Sequence, residues 1–209
     1  MESTQKKINK VELRNLQIED YAQLAQSFTR VYADKDVFWT HEQIEKLISI
    51  FPEGQIVTVV DDKIVGCALS IIVDYDMVKG DHTYAKVTGN ETFNTHNPKG
   101  NILYGIEVFI HPEYRGLRLA RRMYEYRKEL CEKLNLKAIM FGGRIPNYYK
   151  YADQMRPKEH MSVLKARITA FLSFTVTSGL IMVHMTAGGD MIHFLSLIMK
   201  VQRNLKNIF

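Results

Sequence analysis

The chain has 209 residues and a mass of 24.3 kDa, enough for one domain or one domain with an extension and too short for two full enzymes. Hydrophobic residues make up 46% and charged residues 24%, a balance that buries a real core and excludes a disordered tail, a collagen or a disulfide scaffold. Basic residues number 28 against 23 acidic, a net charge of +5, which suits an anionic ligand but is too mild to require nucleic acid.

In chain order, residues 1–10 show no apolar run behind their lysines, so no secretory signal is visible. Val11 to Leu16 alternates as a strand. A helix then runs from Gln17 to about Ala33, with Tyr21, Leu24, Phe28 and Val31 at helical spacing. Thr40, with Gln43 three residues on, has the pattern of a capping box opening a helix over Ile44, Leu47, Ile48 and Phe51. Gln55 to Val60 and Lys63 to Val73 are β-branched runs joined by Asp61-Asp62, which predicts a hairpin. Cys67 and Cys131 both lie in apolar segments and read as buried thiols in a reduced, cytoplasmic compartment.

Asp74 to Gly100 is charged, rich in Asn, Thr and Gly, and reads as a long excursion between strands, either functional or a solvated insertion. Asn101 to Ile110 is the next strand. Leu119, Met123, Tyr126, Leu130 and Leu134 then recur at helical spacing, and Lys137 to Phe141 is a strand closed by Gly142-Gly143. Strand, turn, helix and strand make a βαβ unit. The turn holds Gly116 among Arg115, Arg118, Arg121 and Arg122. A glycine-bearing turn at a helix N-terminus leaves backbone N–H groups outward, a phosphate seat to which arginines add charge. A solvated basic helix face is the plain alternative.

The segment Arg115-Gly116-Leu117-Arg118-Leu119-Ala120, preceded by HPEYRG over His111 to Gly116, resembles the GNAT superfamily of N-acetyltransferases, whose pyrophosphate loop follows [RQ]-x-x-G-x-[GA]. The first and last positions match, while Arg118 replaces the interior glycine. The resemblance covers Val11 to Met155, and the long insertion, RGLRLARR and GGRIPNYY look specifically like the acetyltransferase domain that some two-domain proteins join to a carbon–nitrogen hydrolase, for which this length leaves no room. It implies an α/β (α+β) GNAT fold: a mixed, mostly antiparallel twisted sheet flanked by helices, with splayed central strands. The domain would span residues 1–186 with the 74–100 insertion, followed by a C-terminal extension over 187–209.

That resemblance also implies acetyl-CoA as co-substrate, its pantetheine arm on the backbone of Val108, Phe109 and Ile110. The pyrophosphate would lie on Arg115, Gly116, Leu117, Arg118, Leu119, Ala120 and Arg121, with Asn147 near the arm. The expected reaction is direct acetyl transfer to a primary amine of unknown identity. A lysine-type amine has a pKa of about 10.4, so supplying its neutral form at pH 7 costs roughly 4.6 kcal/mol, and a base must offset this. Glu107, the one charge in an apolar strand, is the candidate base, against a solvated glutamate. Tyr148, Tyr149 and Tyr151 compete as the acid, and Tyr151 is taken. A strand N–H near Val108 is the candidate donor to the oxyanion. The acids Asp74, Asp76, Asp81 and Glu91 are a candidate attraction for a cationic acceptor. Trp39, beside Phe38, is a pocket wall or a core residue. The histidines have no ligand spacing, so no metal is expected.

Ile168 to Gly189 carries no Asp, Glu, Lys or Arg, which raises a membrane span. Its Ser, Thr and Gly content favours a hairpin instead, Phe171 to Thr177 with Leu180 to Thr186. Asp190 would cap a last helix carrying Ile192, Leu195, Ile198 and Met199, covered by the domain, a homodimer partner or a membrane surface. Two rival readings remain: a non-catalytic CoA-binding or regulatory module, and a nucleic-acid binder using the arginine-rich helix.

Overall fold

A computed structural model describes residues 8–32, 38–79, 82–144, 153–154, 181–186 and 194–200. The strands are β1 (Val11–Asn15), β2 (Ile56–Val60), β3 (Lys63–Val73), β4 (Ile102–Ile110), β5 (Ala138–Arg144), β6 (Ile181–Thr186) and β7 (Phe194–Lys200). The helices are α1 (Tyr21–Tyr32), α2 (His41–Ile50), α3 (Tyr75–Val78), α4 (Tyr84–Thr88) and α5 (Leu119–Lys133). Strands are hydrogen-bonded in the order β1-β2-β3-β4-β5-β7-β6. Strand β4 pairs with β5 in parallel, whereas β1 with β2, β2 with β3, β5 with β7 and β6 with β7 are antiparallel, so the sheet is mixed and mostly antiparallel. Contacts divide the chain into two compact units, one of residues 1–70 with 107–127, the other of 71–106 with 128–209.

In the first unit β1, β2 and β3 form a meander. Asp61 and Asp62 both take left-handed backbone, at φ +46° and +63°, which a two-residue turn matched to sheet twist requires. Asp61 is further tied down by the N–H groups of Asn9 and Lys10, which donate to its Oδ1 at 3.0 and 2.9 Å. The expected capping box is present: Gln43 N–H donates to Thr40 Oγ1 at 3.3 Å and Thr40 N–H to Gln43 Oε1 at 2.8 Å. Every residue of β2 is buried, which explains a continuous apolar run where a one-faced strand would alternate.

A β-bulge sets the local geometry. Thr58 pairs with Gly66 but Val59 with Ile64, leaving Val65 as the extra residue, and the Val65 carbonyl accepts from His111 N–H at 2.6 Å. A Cβ on Gly66 would lie 2.5 Å from the Phe109 carbonyl oxygen and 2.6 Å from Ile110 Cδ1. Gly66 therefore permits the close approach of β3 to the end of β4. Side chains of β4 alternate from there: Val108 and Ile110 pack with Ile56, Ala68 and Met123 of α5, while Phe109 meets the Phe28 ring of α1 edge-on at 5.8 Å. The two faces thus carry helices of opposite origin in the chain.

In the second unit, β4 pairs in parallel with β5 only from Ile102↔Ala138 to Gly105↔Phe141. Both strands continue past that last pair, β4 to Ile110 and β5 to Arg144. Strand β5 was expected to close at Gly142-Gly143, yet it runs through them because β7 pairs with all seven of its residues. The same pairing corrects the C-terminal expectation: Phe194–Lys200 is a strand, not part of a helix over Asp190 to Met199. A short apolar run fits either state, and the open edge of β5 decides it by supplying ladder partners. The second arm of the expected hairpin is a strand, but its described partner is β7; its first arm, 171–177, lies outside the described residues.

The described residues of the 74–100 insertion include two short helices, α3 and α4. Thr83 caps α4 through Lys86 N–H at 3.1 Å, and Gly89 ends it in the left-handed region. Val78, Val87 and Phe93 are buried. Asn97 N–H donates to the Ile72 carbonyl at 2.8 Å, and Ile72 N–H to His96 Nδ1 at 3.1 Å. Burial pushes the His96 imidazole below its ordinary range, which keeps neutral the ring that must accept this bond.

The packing at Gly66 makes a direct prediction. Gly66→Ala should lower stability by about 1–3 kcal/mol, as overpacking does, measured by denaturant unfolding. Unchanged stability would show that β4 is not held against β3 at this point.

Candidate functional site

The site residues expected from the sequence lie mostly on one stretch of the first unit, from Glu107 through Arg121. Past Ile110, His111 N–H is bonded to β3 and a single 3-10 turn, Pro112–Tyr114, brings the chain to the loop. Tyr114 and Leu119 are both buried with Val60 and Val65, so the loop is pinned at each end. Between the pins Arg115, Gly116, Leu117 and Arg118 are exposed. Burying an apolar residue on either side of four exposed ones turns the intervening backbone outward.

The conformation of that backbone answers the main departure from the family pattern. Gly116 has φ +86° and Arg118 φ +57°. Arg118 therefore holds the left-handed conformation that a glycine would adopt freely, and it does so at a cost of about 1–2 kcal/mol for an L side chain. Gly116 and Arg118 thus bracket Leu117 with two left-handed residues. Immediately beyond, Leu119, Ala120 and Arg121 begin α5 and have no carbonyl one turn back to bond. A Cβ added at Gly116 would meet nothing within 4 Å, so the turn is open on the side where an anion would sit.

Charge around the loop is arranged unevenly. Arg115 Nε donates to the Ile110 carbonyl at 3.4 Å, folding this side chain back over the strand end. Arg121 pairs with Glu125 one turn later at 2.8 Å, and with both groups about half exposed the pair adds little to stability. Arg118 and Arg122 are exposed.

Glu107 is half-buried and is not the solvated glutamate of the plain reading. Its Oε1 accepts from Tyr32 Oη at 2.9 Å and from Val108 N–H at 2.9 Å. The Val108 amide, expected as an oxyanion donor, is thus engaged by the neighbouring carboxylate. Arg127 of α5 is buried and donates to the carbonyls of Leu69 at 2.8 Å and Glu107 at 2.9 Å. Burial, with the Glu107 charge adding, pushes the Cys67 thiol well up, and Arg127 opposes this. A fully buried cysteine so raised has no thiolate to offer as a nucleophile. Burial likewise raises the Tyr124 hydroxyl, which Arg127 opposes and Glu107 reinforces.

Asn147 and Tyr151 lie outside the described residues, as do the competing Tyr148 and Tyr149. Trp39 is 8% exposed and packs with Phe28 and Phe38 at ring separations of 6.3 and 5.6 Å, which favours the core role. Of the insertion acids, Asp74 Oδ2 accepts from Asn97 Nδ2 and Asp76 pairs with Lys79, both at 2.8 Å, while Asp81 lies outside the described residues. Tyr32 and Arg127 are the residues that sequence reasoning missed. Tyr32 is 75 positions from Glu107, and no local pattern joins them. Arg127 did carry a signal, being four and eight residues beyond Met123 and Leu119 on the buried stripe of α5. Among the described residues no group of three or more His, Cys, Asp or Glu could hold a metal ion, and no helix is long and apolar enough to cross a membrane.

Comparison with known proteins places this geometry. Residues 14–151 match the model of the acetyltransferase (GNAT) family. The chain is similar to the probable hydrolase YhcX of Bacillus subtilis, 36% identical over 177 residues that are 81% of this chain and 33% of that protein. It is also similar to the uncharacterized N-acetyltransferase YkwB of Bacillus subtilis, 31% identical over 147 residues, 69% of this chain and 65% of that one. The chain therefore spans less than two thirds of either relative. Among solved structures, the loading GNATL domain of CurA from Lyngbya majuscula shares the fold at TM-score 0.75 and 19% identity, covering 94% of this chain and 100% of that domain. On the family match and the identity to these relatives, the chain belongs to the acetyltransferase (GNAT) family.

Proposed function

We propose that the protein is an acyl-CoA-dependent N-acyltransferase that moves an acetyl group from acetyl-CoA to a primary amine by direct attack in a ternary complex. The observation that carries this reading is the exposed loop at α5, whose left-handed Gly116 and Arg118 precede unpaired helix N–H groups. Such a loop fits a pyrophosphate, and the family match supports a CoA thioester as its ligand. Backbone of Gly116 to Arg121 holds the pyrophosphate, with Arg115 and Arg118 adding charge, and the edge of β4 at Phe109 and Ile110 pairs with the pantetheine amides.

In this reading Glu107 accepts the proton of the attacking amine, directly or through water. Tyr32 Oη and the Val108 N–H both donate to this carboxylate, and the ionised form is the one a base needs. The thioester carbonyl requires a donor other than the Val108 amide, since that amide bonds Glu107. Tyr151 keeps the role of acid to the departing thiolate, and Asn147 that of a contact to the arm, both as proposals from the family pattern.

Binding is tested first by thermal shift with acetyl-CoA, longer acyl-CoAs and nucleotides. Acetyl-CoA at 100 times its Kd should stabilise the fold by about 2.7 kcal/mol. Gly116→Asp should abolish that shift, because it places a carboxylate beside the anion and strains a left-handed residue; a retained shift would move the cofactor elsewhere. Arg118→Gly should raise the stability of the free protein by up to about 1 kcal/mol, the relief of left-handed strain less the entropy of a glycine. It should also weaken acetyl-CoA roughly tenfold, as loss of one charge-assisted contact does. Unchanged affinity would assign the seat to the backbone alone.

Chemistry is tested by thiol release from acetyl-CoA with a panel of polyamines, amino sugars, aralkylamines and lysine-containing peptides. Glu107→Gln should lower kcat by about 10²–10⁴ while keeping the acetyl-CoA shift. Tight binding with no turnover by any amine would favour a non-catalytic CoA-binding module.

A further inference from the structure

We infer that Tyr32 is the positioning residue of Glu107: its hydroxyl fixes the carboxylate and holds it ionised, so that α1 sets the working pH of a group on β4. The inference rests on the reading of Glu107 as the base. The Tyr32 Oη and the Val108 N–H both donate to Oε1 at 2.9 Å. Two donors on one oxygen fix the plane of the carboxylate and favour its charged form over its protonated one.

The tyrosine is itself held in place by apolar contacts. Its ring lies 4.5 Å from the Phe28 ring and 6.3 Å, edge-on, from that of Phe109. Phe109 is two residues along β4 from Glu107 and on the same face, so one patch of α1 packs on the strand and reaches its carboxylate. Other titratable or charged groups facing Glu107 are Cys67 from β3 and Tyr124 and Arg127 from α5. Cys67 and Tyr124 are pushed further toward their neutral forms, and Arg127 carries a formal charge. Arg127 approaches through the Glu107 backbone carbonyl, whereas the tyrosine acts on the carboxylate itself. Removing the hydroxyl alone therefore changes the side chain's protonation without removing its counter-charge.

Tyr32→Phe keeps the ring and its packing and deletes one donor. In protein labelled with carbon-13 at glutamate carboxyls, the Glu107 resonance is the one missing from Glu107→Gln. Its titration midpoint should rise by about one pH unit in Tyr32→Phe, a tenfold change in the ionised fraction below both midpoints. With acetyl-CoA and an amine that turns over, the acid limb of kcat/KM should move upward by the same amount, with KM for acetyl-CoA unchanged. Incorporation of 3-fluorotyrosine at position 32, a more acidic phenol, should move both midpoints downward and covers the case of a poorly folded phenylalanine variant. A Glu107 midpoint identical in all three proteins overturns the role of Tyr32 and leaves the base reading intact. A midpoint that moves while Glu107→Gln retains the wild-type acid limb overturns the base reading, and the positioning role with it.

Discussion

A guanidinium buried in the sheet's helical face is the constraint around which the site is built. Arg127 is 2% exposed, and an unpaired charge at that depth would cost several kcal/mol. Its Nη2 donates to the carbonyls of Leu69 and Glu107, groups that belong to adjacent strands and would otherwise be candidates for the ladder. Their engagement by a side chain fixes β3 and β4 at the level where β4 has left its pairing with β5. The carboxylate of Glu107 lies on the same residue, so the group proposed as base is placed by a bond to its backbone and a second set of bonds to its side chain.

The helix that carries Arg127 also follows the loop proposed to hold the pyrophosphate. Leu119, Met123 and Arg127 follow at four-residue steps, the spacing of a single helix face. Leu119 buries with Tyr114 to pin the loop, and Met123 packs beside the Gly66 approach. Displacing α5 along its axis would therefore move the proposed phosphate seat and the Glu107 carbonyl together. In the proposed reaction a shared rigid element would keep two distant parts of one long substrate in register, as positioning catalysis demands.

Much of this was legible in the sequence because its causes are local. The capping box at Thr40 and Gln43, the Asp61-Asp62 turn and the glycine-bearing turn before α5 each depend on residues within a few positions. The strand Phe194–Lys200 was not legible, since seven mostly apolar residues suit a helix as well and only the partner edge of β5 decides. The Tyr32–Glu107 bond was equally hidden, because it joins positions that the fold alone brings together. Burial of Arg127 contradicts the usual expectation for arginine, and only its place on the apolar stripe hinted at it.

Arg118 shows how a departure from a motif can preserve what the motif is for. Glycine at an interior loop position serves the backbone conformation first and close approach second. Here the conformation survives at φ +57° with a side chain attached, so the left-handed backbone and a guanidinium occupy the same turn. The strain of a left-handed arginine is tolerated because Tyr114 and Leu119 anchor both ends of the loop in the core. A free loop would relax out of that conformation. Strain that persists only where surrounding packing over-determines it tends to mark a working site, and at Arg118 it falls in the segment that also carries Arg115, Arg121 and Arg122.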